Sequence, residues 1–104
     1  DVVMDVRFLP NPHWVEELRP LTGLDEPLRR YVLDQPVTGE FLRRFEDLLE
    51  LLVPAYINEG KSYLSIAIGC TGGQHRSVAI AEELAQWLRR IGHTPRVAHR
   101  DLPR

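Results

Sequence analysis

Two stretches of the chain repeat apolar residues at three- and four-residue intervals, and three shorter ones run apolar between turn residues. From about Gly39 to Asn58 the recurring positions are Phe41, Leu42, Phe45, Leu48, Leu49, Leu52 and Val53, which predicts a helix with one face to bury. Thr38 is its expected N-cap and Glu59-Gly60 its end, while Pro54, which lacks an amide for the preceding turn, is expected to kink it or stop it early. From Ser77 to Ile91 a second stripe of Val78, Ala81, Leu84, Ala85 and Leu88 predicts another helix, with Gly92 as C-cap. A short helix is predicted from the capping residue Asp25, with Glu26 and Pro27 in its first turn, to about Leu33; Gln35-Pro36 ends it.

Val2 to Leu9, Tyr63 to Gly69 and Pro95 to His99 read as strands. The second is aliphatic and bounded by turn residues, the composition of a strand buried on both faces. Pro10-Asn11-Pro12 imposes an extended or turned segment that is not helical, and a loop continues to Gly23. Strand, crossover helix and strand in this order predict an α/β fold: a small, mostly parallel sheet covered by helices, with a strand, an anion-binding loop and a helix at its centre. At 104 residues the chain suits one domain spanning 1–104.

The junction of the second strand and the last helix carries the most chemistry. Gly69-Cys70-Thr71-Gly72-Gly73-Gln74-His75-Arg76-Ser77 is a polar glycine loop opening into a helix. Backbone amides at a helix start are unpaired and lie at the positive end of the helix dipole, so an oxyanion there gains hydrogen bonds and charge attraction together. Gly72 and Gly73 allow close backbone approach, and Thr71, Gln74, His75, Arg76 and Ser77 add polar side chains, Arg76 being suited to a bidentate phosphate contact.

Charge sharpens this picture. The formal net charge is −2, yet residues 1–60 hold six Arg against twelve Asp or Glu, whereas residues 61–104 hold seven Lys or Arg against three acids. The basic half contains the glycine loop, which favours an anionic ligand, a phosphorylated metabolite or a nucleic-acid backbone. No apolar run approaches the roughly 20 residues that span a bilayer, and the first residues lack a secretory-signal layout, so a cytoplasmic location without membrane contact is expected. The single cysteine, Cys70, excludes an internal disulfide. His13, Cys70, His75, His93 and His99 have no metal-ligand spacing, and neither metal nor cofactor is expected.

Two chemistries compete for the loop. Cys70 and Arg76, separated by five residues and followed by Ser77, match the phosphate loop of cysteine-dependent phosphatases, where a thiolate attacks phosphorus. That reaction also needs a general acid, and none of Asp5, Asp25 and Asp101 is evidently placed for it; Gly69 stands where those enzymes carry histidine. The alternative makes Cys70 a small packing residue at a strand end and the loop a non-catalytic binding site. Trp14 is expected to pack over its own loop.

Asp5-Val6-Arg7-Phe8-Leu9-Pro10-Asn11-Pro12-His13-Trp14, Leu18-Arg19-Pro20-Leu21-Thr22-Gly23-Leu24-Asp25, Ser62-Tyr63-Leu64 and the segment from Ile68 to Val78 together resemble the C-terminal domain of the RapZ family of RNase adapter proteins. The resemblance spans essentially the whole chain and implies that it corresponds to the C-terminal half of a longer protein whose N-terminal domain carries a Walker-type loop, absent here. It implies a domain that senses glucosamine-6-phosphate through His13, Thr71, Gly72, His75 and Arg76. It also implies, for enterobacterial members, binding of a small regulatory RNA presented to an endoribonuclease, with His99 and Arg100 as candidate RNA contacts. Those members carry a loop lysine where Gln74 stands and a basic tail, whereas here Asp101-Leu102-Pro103-Arg104 follows His99-Arg100. Fewer cations mean weaker attraction to a nucleic-acid backbone, so sugar-phosphate binding ranks ahead of RNA binding. Apolar helix faces on so small a domain make homo-oligomerisation a further expectation.

Overall fold

A computed structural model describes residues 1–102. Strand β1 (Val2–Asp5) lies parallel to β2 (Ile66–Gly69), with Val2 opposite Ile66 and Asp5 opposite Gly69. Three helices follow the chain order: α1 (Glu26–Leu33), α2 (Pro36–Asn58) and α3 (Arg76–Arg90). The α/β class and the parallel pairing agree with the sequence reading.

The differences have local causes. Both strands are shorter than expected, because Val6 turns inward to complete burial and the Leu9 amide closes a turn onto its carbonyl at 3.1 Å. Pro12 is not in extended chain but opens a short 3-10 turn, Pro12–Trp14, whose His13 amide is served by the Asn11 side chain. There the missing proline amide would be unpaired in any case. Trp14 is exposed rather than packed over the loop. Pro36, read as a helix end, is the first residue of α2; Thr38 therefore sits inside that helix, fully buried, and is not the N-cap. The helix also continues through Pro54 to Asn58, since both Pro54 and Glu50, whose carbonyl loses its donor, lie on the exposed side.

The sheet has two strands among the described residues. Residues 95–99 alternate in burial like a strand but form no ladder, so the third strand is replaced by an extended strap. Neither are the strands buried on both faces: Val2, Met4, Ile66 and Ile68 pack inward while Val3, Asp5, Ala67 and Gly69 are exposed. One core cluster joins Val6, Leu9 and Leu18 to Leu28 and Val32 of α1 and to Ala79 and Ile80 of α3. A second joins Phe45, Leu49 and Val53 of α2 to Leu84 and Trp87 of α3. Helix α3 thus lies between both, and its first turn is buried. Among the described residues no helix is long and apolar enough to cross a membrane.

Candidate functional site

The loop joining β2 to α3 is closed at its base by Cys70 and Ser77. The Cys70 sulfur accepts the Ser77 amide at 3.3 Å, and its thiol donates to the Ser77 hydroxyl at 3.2 Å. Between them Gly72 and Gly73 take φ of 81° and 68°, the left-handed region that glycine enters without penalty. Among the described residues, no backbone or side-chain acceptor engages the amides from Thr71 to Arg76. These are the free donors that a helix start presents to an anion. Thr71, Gly72 and Gln74 are exposed, while Gly73 and His75 are half-buried.

Arg76 has a different surrounding from the one its spacing suggests. It is 4% exposed, and its Nη1 donates to the carbonyls of Arg7 at 2.5 Å and Leu9 at 2.9 Å. Its Nε is buried without a partner among the described residues. The guanidinium therefore braces the turn after β1 against the start of α3, and its charge lies behind the loop. A second brace comes from Gly23, whose amide donates to the Gln74 carbonyl at 2.8 Å. A Cβ there would stand 2.5 Å from the Ala79 amide nitrogen and 2.6 Å from the His75 carbonyl oxygen, so only glycine fits. Asp25 orders the approach by accepting the Thr22 amide at 2.8 Å; it caps that turn, and its side chain makes no cap bond to α1.

Beside the loop opens a cleft of about 290 Å³, lined by residues 66–70, Gly73, Ser77 and Ala81 on one side and by residues 98–101 on the other. Of the residues singled out from sequence, Cys70, Gly73, Ser77, His99 and Arg100 meet in it. His99 is not a surface group: its side chain is 14% exposed and its Nε2 lies 3.7 Å from Glu82. Arg100 is almost fully exposed and pairs with Asp101 at 3.3 Å. His13 stays outside the cleft, exposed on the Pro12–Trp14 turn, where its amide bonds Asn11 Oδ1 and its carbonyl accepts Arg19 Nε. Four residues before His13, Leu9 is the point that Arg76 holds, so the turn and the loop share one anchor.

Sequence reading did not single out Gly23 or Asp101 for the site. Gly23 acts through close approach to a helix 50 residues away, which no local pattern reveals. Asp101 does line the cleft with Cys70, whereas Asp5 faces outward, its carboxyl held below the usual range by hydrogen bonds from Arg7. Among the described residues no three metal-ligating side chains cluster.

A glycine loop whose amides are free among the described residues, at the start of a braced helix, sits in a small parallel α/β fold. The sequence profile of the RapZ C-terminal domain matches residues 1–103, and the chain belongs to that family. It is 62% identical over 101 residues to "Nucleotide-binding protein GSU1884" of Geobacter sulfurreducens, an alignment covering 97% of this chain and 35% of the relative. It is likewise similar to a "Nucleotide-binding protein" of Geobacter metallireducens, at 62% over 102 residues covering 98% and 36%. A third, of Desulforudis audaxviator and bearing that same name, is 57% identical over 104 residues covering 100% and 35%. The chain thus spans about a third of the length of these curated relatives.

Proposed function

We propose that the 70–77 loop binds the phosphate of a phosphorylated amino sugar of the glucosamine-6-phosphate kind, making this domain the metabolite-sensing part of an adapter-type regulatory protein in the cytoplasm. The observation that carries this reading is the run of amides from Thr71 to Arg76 at the start of α3, unengaged among the described residues, with the two left-handed glycines between them. In this reading those amides hold the phosphate oxygens, with Thr71, Gln74, His75 and Ser77 as side-chain donors. The buried charge of Arg76 adds attraction from behind, where low local dielectric strengthens it. His13 and His75 address the sugar as hydrogen-bonding side chains.

Calorimetry with glucosamine-6-phosphate, inorganic phosphate and glucosamine tests it. The phosphorylated sugar should bind tightest and the unphosphorylated sugar weakest; a chain that does not prefer the phosphorylated sugar refutes the reading. Including an aryl phosphate in the same series separates binding from the phosphatase alternative, which requires turnover that disappears in Cys70→Ser.

One observation favours RNA as a second ligand. A groove of about 840 Å³ at the far end of β2 brings Tyr56 and Tyr63 together with Lys61, His93 and Arg96, and Tyr63 is 80% exposed. Exposed aromatic faces beside cations suit unstacked bases and their phosphates. Native gels over a salt series with Tyr63→Ala decide it: an unaltered shift in that variant rules this groove out.

A further inference from the structure

We propose that residues 93–102 form a lid over the anion loop and that the Asp101 carboxylate is its latch, an internal anion that an incoming phosphate must displace. The inference rests on the phosphate-binding reading of the 70–77 loop.

The lid begins where α3 ends. Gly92, at φ 99°, reverses the chain, and the His93 amide closes the helix by donating to the Leu88 carbonyl at 2.9 Å. Beyond that point, among the described residues, the segment makes no backbone hydrogen bond to the body of the domain. It is also poorly packed. The cleft at the loop, a gap of about 160 Å³ between the segment and α3, and the groove at Tyr63 all run along it. Inward-facing Val97 is half-buried, and His99 reaches Glu82 only at 3.7 Å, with Nε2 buried and unbonded among the described residues. A segment with few apolar contacts and no ladder belongs to the part of a fold that opens at least cost.

Its end nevertheless has a defined seat. The Asp101 carboxylate rests on Gly73: a Cβ at that glycine would collide with Oδ2 and lie 3.0 Å from Cγ and 3.1 Å from the Asp101 Cβ. Gly73, with its φ of 68°, is one of the residues whose amides are free among the described residues. A carboxylate at this mouth is favoured by the positive end of α3 for the same reason that a phosphate is. The two anions cannot both be close without repulsion. Asp101 therefore sets the affinity of the site, and its displacement would release the 93–102 segment.

Asp101→Asn keeps the shape of the side chain and removes its charge. Calorimetry of both proteins with inorganic phosphate and with glucosamine-6-phosphate, at fixed ionic strength, should show the variant binding each about three- to tenfold more tightly. Limited trypsin digestion supplies an independent reading of the lid, since Arg96 and Arg100 lie within it. Cleavage there should accelerate when wild type is saturated with phosphate, and the variant should be cleaved faster even without ligand. Equal affinities, or weaker binding by the variant, overturn the latch while leaving the phosphate reading intact. Ligand that slows cleavage overturns the opening of the lid. If neither protein binds either ligand, both readings fall together.

Discussion

Arg76, the first residue of α3, donates from Nη1 to the Leu9 carbonyl 67 positions earlier at 2.9 Å, and the same nitrogen serves the Arg7 carbonyl. One buried side chain thus fixes the turn after β1, and with it the His13 turn, to the base of the 70–77 loop. Arg76→Met leaves both carbonyls without their donor. The expected loss is about 2–4 kcal/mol, measured by urea unfolding at pH 7. A loss below about 1 kcal/mol would show that the brace is dispensable.

Glycine substitutions should separate close approach from mere flexibility. At Gly23 an added methyl meets backbone of α3 at 2.5–2.6 Å, and Gly23→Ala should cost at least about 2 kcal/mol. Gly39 lies exposed in α2 with nothing within 4 Å of its Cβ position, so Gly39→Ala should stabilise by about 0.5–1 kcal/mol. Thermal melts of the two variants in one buffer should move in opposite directions.

Thr38 is fully buried, and its Oγ1 has no partner among the described residues. A desolvated hydroxyl without a hydrogen bond is a standing cost that an apolar group of the same shape removes. Thr38→Val should be neutral or stabilising by up to about 1 kcal/mol in urea unfolding. Destabilisation beyond about 1 kcal/mol would mean that the hydroxyl is bonded in solution.

Glu46 on α2 is partly buried, and that burial raises its carboxyl above the ordinary range against the opposing pull of Arg90. A raised folded-state pKa means a contribution present below the unfolded value and lost as pH rises through the folded one. Ionised Glu46 is therefore a small burden at neutral pH. Glu46→Gln should gain a few tenths of a kcal/mol relative to wild type at pH 7, where solvent screening keeps the effect small, and the gain should vanish below about pH 4. Urea midpoints at pH 3.5 and pH 7 give the comparison.

The helices were legible because their apolar stripes, such as Phe41, Phe45 and Leu49, are local and repeat often enough to fix a period. The strand–loop–helix junction at 69–77 was legible for a similar reason: glycines, polar groups and a helix start stand adjacent in sequence. Residues 95–99 were not, because alternating burial marks any extended segment lying on a core, and only ladder partners distinguish a strand from a strap. Pro36, which does close off α1, also opens α2, so Thr38 was misplaced as the N-cap, and Pro54 does not stop α2 early. Proline breaks a helix only where its missing amide would have been used or its lost bond cannot be met by water. The surroundings of Arg76 depended on Arg7 and Leu9 carbonyls that no local spacing encodes.

The pairing of β1 with β2 also has a temporal side. The Asp1 carboxylate accepts the Ser65 amide across 64 positions, and every rung above it joins equally distant residues. A nascent chain therefore exposes its first strand throughout synthesis of α1 and α2, with no partner yet made. Contacts of such sequence separation slow folding, since loop-closure entropy must be overcome before they form. The 70–77 loop, which follows β2 directly, can take shape only after that slow closure, so its geometry should be the last to form during folding.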